Sequence, residues 1–68
     1  MTDPMLVEID IIRQYQPYDQ LPAFAQGRRA YARGDYRNPY DADSVDAQAW
    51  DRGLQAEMQI EQSLERDR

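Results

Sequence analysis

"GRRAYARGDYRNPY", residues 27–40, sets two glycines seven apart among four arginines and three tyrosines, inside a chain that is otherwise acidic. As a helix that stops at Gly34 it is the centre of a helical scaffold; as a basic, aromatic ribbon it is a grip for nucleic acid. The local chemistry favours the first. Gly34 sits where a left-handed C-terminal helix cap belongs, and Asn38-Pro39 is a turn signal that keeps Asn38 extended.

Upstream, Leu21, Phe24, Arg28 and Tyr31 share one helical side, beside the small residues Ala23, Gly27, Ala30 and Gly34. A first helix is therefore expected from about Asp19 to Arg33, with Pro22 tolerated in its first turn. Gly27 inside that helix costs about 1 kcal/mol relative to Ala, which predicts the close approach of a second backbone. Downstream, Asp43 or Ser44 caps a second helix that continues to about Glu65. Ala47, Trp50, Leu54 and Met58 form its stripe, widened by Gly53 and Ile60, until Glu61 interrupts the apolar pattern. Two such helices joined by a short loop pair as an antiparallel hairpin over residues 19–68, with Trp50 as core plug. The structural positions are Gly27, Gly34, Pro39, Trp50, Gly53 and Leu54.

Residues 1–18 read as an apolar arm ending in a connector around Pro17. Val7, Ile9 and Ile11 alternate with Glu8 and Asp10 and are β-branched, the pattern of a half-buried strand. A helix competes, with Asp3 as cap, Pro4 at the first helical position, and Met5, Ile9 and Ile12 on one face. The fold class is accordingly mainly α: a two-helix hairpin preceded by a strand or extended arm. Such a strand can pair with its twin, extend a target's sheet, or pack back on its own hairpin.

The 68 residues contain no Cys, His or Lys. A chain of this size hides only roughly 60% of its unfolded surface, so the core is expected to be completed by a second copy, as a dimer, or by a partner. No apolar run approaches the roughly 20 residues that span a bilayer, and no signal peptide is visible. The expected location is cytoplasmic, in a bacterium or in the host of a phage. Without His, Cys or Lys there is no Ser-His-Asp or Cys-His pair, no Schiff base and no phosphate-loop lysine. The chain reads as non-enzymatic, with no cofactor and no metal. Asp41 and Asp43 begin a calcium-loop pattern that fails at Val45, Asp46 and Arg52, so they read as acid at a helix N-terminus. Arg33-Gly34-Asp35 imitates an adhesion motif, but Gly34 already has its capping role.

Charge divides the chain sharply. Residues 28–37 carry four arginines against Asp35, while the flanking segments are acidic and the whole is −5. Arg28, Arg29, Arg33 and Arg37, interleaved with Tyr31, Tyr36 and Tyr40, can clamp phosphate and stack bases, or anchor a protein interface. With the apolar row Val7, Ile9 and Ile11, they are the candidate partner-binding residues.

The order Gly27, Gly34, Pro39-Tyr40 and Trp50-x-x-Gly53 followed by "LQAEM" resembles the ribosome modulation factor family and its small bacterial and phage relatives, over residues 23–58. The resemblance implies a helical hairpin with Gly27 and Gly34 on the first helix and Trp50 and Gly53 on the second. It also implies a ribosome-associated translation silencer that touches ribosomal RNA through a basic surface. An acidic chain without lysine departs from that surface, since affinity for RNA rests largely on neutralising phosphates.

The leading expectation is a small regulator or inhibitor that binds a larger bacterial protein or ribonucleoprotein machine stoichiometrically and occludes its functional surface. RNA contact is disfavoured by net charge. The alternatives are the translation silencer and an acidic nucleic-acid mimic of phage type. The mimic would present Asp41, Asp43, Asp46, Asp51, Glu57, Glu61 and Glu65 to a nucleic-acid-binding or defence complex.

Overall fold

The computed structural model describes residues 4–66, and within them the protein is mainly helical. Its helices are α1 (Pro4–Arg13), α2 (Pro22–Arg33) and α3 (Val45–Arg66), with a short 3-10 turn over Tyr18–Gln20 between the first two.

Local chemistry fixes most helix ends. Gly34 takes the left-handed conformation, φ 76° and ψ 17°. Its N–H bonds the Tyr31 carbonyl at 3.0 Å and the Asp35 N–H bonds the Ala30 carbonyl at 2.9 Å. Those two bonds make a complete Schellman cap. Of Asp43 and Ser44, Ser44 caps α3: its Oγ accepts the Ala47 N–H at 3.1 Å and its hydroxyl donates to the Asp41 carbonyl at 2.7 Å. The start of α2 differs from expectation. Asp19 lies in the 3-10 turn, its Oδ1 buried without a hydrogen-bond partner among the described residues, and the helix begins at Pro22 behind Leu21 with no side-chain cap. Proline supplies the helical φ and has no N–H to leave unpaired, which is why the start moves to it.

Two glycines let α2 and α3 touch backbone to backbone. A Cβ added to Gly27 would lie 2.9 Å from the Trp50 carbonyl carbon, and one on Gly53 would lie 2.8 Å from that of Phe24. Each glycine thus faces the carbonyl of the opposite helix, the arrangement of reciprocal Cα–H···O contacts. Around this crossing sit Ala23, Phe24, Ala30, Ala49, Trp50, Ala56 and Ile60, all buried, with Trp50 3% exposed. Small residues bring the axes together, and one indole and one phenyl ring fill what remains.

Residues 4–13 form a helix, which corrects the expectation of a strand or extended arm. Pro4 occupies the first helical position, while Asp3, the candidate cap, lies outside the described residues. A lone strand would leave its backbone groups seeking a second strand, whereas a helix satisfies them internally. The row Val7, Ile9 and Ile11 is broken up by this change of period. Val7 and Ile11, one turn apart, pack into the core together with Ile12, and Ile9 points outward at 46% exposure. Helix α1 thereby covers part of α3, whose buried positions include Ala49, Gly53, Ala56 and Ile60. Met58, on the expected stripe, is only half-buried.

Residues 14–17 turn between α1 and the 3-10 segment, with Gln16-Pro17 in cis. The longer connection, residues 34–44, is tied to α3 by Asn38. Its Oδ1 accepts the Tyr40 N–H at 3.0 Å, while its Nδ2 donates to the Ala47 carbonyl at 2.9 Å and to Asp51 at 3.0 Å. Asn38→Ala removes all three bonds and is expected to cost about 1–2 kcal/mol, read as a lower urea midpoint. Asn38→Asp keeps an acceptor for Tyr40 but loses the donor and sets a second carboxylate beside Asp51. It should do no better than alanine, and full stability in the aspartate variant would show that the Ala47 bond contributes nothing.

Candidate functional site

Helix α2 divides the arginine island between two flanks. Counting 100° per residue, Arg28 and Tyr31 lie on one side of the buried face of α2 and Arg33 with Gln26 on the other, while Arg29 rides the crest between them.

On the first flank the charge is already spent. Arg28 Nε reaches Glu57 of α3 at 2.9 Å, and its Nη2 reaches Glu8 of α1. Burial by itself works against the charged guanidinium, but the two carboxylates outweigh it and raise the Arg28 pKa, so the cation is held. Arg28 is therefore a clasp joining all three helices rather than a free hand. Arg28→Met would leave Glu8 and Glu57 facing each other without a cation, and a loss of about 1–3 kcal/mol is expected. The loss should concentrate in α1, seen as faster amide exchange in residues 7–13 than in α2; equal exchange in both helices would show that Arg28 does not hold α1.

Tyr31 shares this flank. Its ring stacks at 5.6 Å, tilted by 39°, on Tyr36, which is 61% exposed. Partial desolvation first, then the carboxylate of Glu61, the neighbouring Tyr36 and, more weakly, Glu65 and Glu57, push the Tyr31 phenol above its ordinary range. Aromatic surface here comes with negative charge, which suits a base-stacking platform poorly.

The second flank is electropositive. Arg29, Arg33 and Arg37 line a hollow of about 350 Å³ with Gln26, Ala30, Asp35, Pro39 and Trp50. None of the three arginines forms an ion pair among the described residues, and Asp35 is the sole carboxylate in the lining. The Schellman cap builds this site, because the sharp turn at Gly34 swings Arg37 back beside the last two turns of α2. Asp35 helps to shape the turn by accepting the Arg37 N–H at 3.3 Å.

The remaining tyrosines are joinery. The Tyr40 hydroxyl donates to Oε1 of Gln26, a residue of the hollow's lining. Tyr18 donates to Gln48 at 2.8 Å and lies under the Arg52 guanidinium, 5.3 Å from the ring centre. Gln59 donates to the Tyr15 hydroxyl at 2.6 Å, while the Tyr15 ring sits 6.1 Å from Phe24. Sequence reasoning placed Tyr40 among the binding residues and assigned nothing to Tyr15, Tyr18 or the glutamines. Their partners are up to 44 residues away, and only the fold brings them together.

Of the candidate partner-binding residues, Arg29, Arg33 and Arg37 converge, with Tyr36 nearby in sequence on an exposed turn. Arg28 and Tyr40 are engaged internally, and Val7 and Ile11 are packed. The acidic array is also thinned, since Glu57 is committed to Arg28 and Asp51 accepts from Asn38. Leu54 packs against the core at the crossing, and Pro39 lines the hollow. Among the described residues no helix is long and apolar enough to cross a membrane. No family model, no curated protein and no solved structure matches the chain.

Proposed function

We propose that this protein is a small non-enzymatic regulator that acts by stoichiometric binding to a larger protein or ribonucleoprotein assembly and occludes its functional surface. One observation carries the reading: in a chain of net charge −5, three arginines that form no ion pair among the described residues line one hollow, while the fourth arginine of the island is neutralised. Three guanidinium groups gathered at one concavity form a positive patch suited to an acidic partner surface. The helical hairpin of α2 and α3 is the scaffold, and Tyr36 adds exposed aromatic surface of the kind that anchors interfaces.

The division of the island favours a protein surface over RNA. Phosphate clamps and stacking rings would have to lie along one path to follow a nucleic-acid strand, yet the arginines and the Tyr31-Tyr36 pair lie on different flanks of α2. A ribosomal target, as the family resemblance implies, then requires contact with a ribosomal protein as much as with RNA.

The test is affinity capture from bacterial lysate with three baits: the wild type, a variant with Arg29, Arg33 and Arg37 changed to Ala, and Arg13→Gln as a control on α1. The expected result is one stoichiometric complex that the triple variant weakens at least about tenfold, or ~1.4 kcal/mol, and the control leaves intact. Equal recovery by all baits would remove the hollow from the binding surface. Co-sedimentation with ribosomes that fades steeply with salt in the wild type alone would favour the silencer.

A further inference from the structure

We infer that the hollow bounded by Arg29, Arg33 and Arg37 is a receptor for one phosphomonoester group carried on a protein partner, a phosphorylated side chain. The inference rests on the proposed binding role and gives its chemistry.

Three features of the hollow select the ligand. First is charge: three guanidinium groups against the carboxylate of Asp35 leave an excess of about two positive charges, and a phosphomonoester carries about −1.5 to −2 at pH 7. A single carboxylate would leave the site under-neutralised. Second is donor geometry: the arginines come from successive turns of α2 and from the loop beyond Gly34 and line the same hollow, so their planar forks are offered from separate backbone positions. Three acceptor oxygens on a tetrahedral centre match such a set better than the two coplanar oxygens of a carboxylate. Third is size: about 350 Å³ suits a side chain that enters, at the lower end of ordinary ligand sites. Ala30, Pro39 and Trp50 contribute to the wall beside the stem that carries the phosphate.

The surroundings argue against a polyanion. Asp35 lies inside the hollow, Asp51 is held beside it through Asn38, and Asp41, Asp43 and Asp46 are exposed on the adjoining loop and the first turn of α3. One dianion meets the arginines before it meets these acids, whereas a nucleic-acid strand leaving the hollow in that direction runs into repulsion.

Trp50 is the sole tryptophan and forms part of the wall, so its emission reports occupancy directly. Three probes are titrated into the intact protein: a pentapeptide with a central phosphoserine, its unphosphorylated twin, and a 5′-phosphorylated hexauridylate. The expected result is a saturable change in Trp50 emission with the phosphopeptide, at least tenfold weaker with its twin and with the oligonucleotide. Arg33→Gln and Arg37→Gln should each weaken the phosphopeptide at least fivefold, with helical circular dichroism unchanged, and Arg13→Gln should not. Equal response to the two peptides would overturn the phosphate assignment, and tighter binding of the oligonucleotide would transfer the site to nucleic acid. A partner captured through the arginines that binds equally well after phosphatase treatment would sink this inference and leave the proposed binding role standing.

Discussion

Gly27→Ala and Gly53→Ala are each expected to destabilise the domain by about 2 kcal/mol or more, although alanine for glycine inside a helix ordinarily stabilises by up to ~1 kcal/mol. The sign reverses because the new methyl group points into the backbone of the opposite helix, at the Trp50 carbonyl in one case and the Phe24 carbonyl in the other. A side chain can rotate out of the way, but a carbonyl in the middle of a helix cannot, so α2 and α3 must separate. Overpacking of this kind typically costs ~1–3 kcal/mol even where side chains can give. The separation also loosens the packing of Phe24 and Trp50 around the crossing. A domain of this length has ~3–10 kcal/mol in all, so the double variant should be largely unfolded at 25 °C. Gly34→Ala is the comparison: nothing lies within 4 Å of its added Cβ, and its cost is that of a positive φ alone, ~1–2 kcal/mol. Urea unfolding followed by circular dichroism separates the three, and a Gly27→Ala variant as stable as the wild type would rule out the close crossing.

Several of these features can be read without the structure because they are local. Gly34 ends a helical stripe at the place where a left-handed cap is needed, and Ser44 stands at the head of the next. Gly27 is costly in a helix interior, which by itself predicts a close neighbour, and Trp50 is the largest apolar side chain available for the core. The error in α1 is also local in origin. Residues 7–12 satisfy period two and period 3.6 almost equally, and β-branching tips a propensity judgement toward strand. The structure decides by supplying α3 as a surface for Val7, Ile11 and Ile12 and no strand for the alternative among the described residues. What could not be read was long-range polar pairing. Nothing in the spacing of Glu8, Arg28 and Glu57 announces a three-helix clasp, and nothing in three glutamines announces tyrosine partners. Because the clasp was invisible, the arginine island looked like a single surface, and its division into a neutralised flank and an open one became legible only with α1 in place.

Trp50→Ala should be the most damaging single truncation, at about 3–5 kcal/mol. The indole is 3% exposed in a core cluster shared with Ala23, Phe24, Ala30, Ala49, Ala56 and Ile60, where the alanines have no longer side chain to move into the space it leaves. Residual cavity volume adds to the transfer cost of the lost ring. Trp50→Phe retains an aromatic plug and should cost roughly half as much. With the tryptophan gone, the helical signal near 222 nm is the readout. The same substitution bears on binding, because Trp50 is both the core plug and part of the wall of the arginine hollow. In Trp50→Phe, which should remain folded, Arg29, Arg33 and Arg37 keep their charges while the wall between them recedes, so affinity for an anionic partner should fall by a factor of a few. An unchanged urea midpoint in Trp50→Ala would mean that the indole is not the plug of the crossing, and would detach the binding hollow from the core.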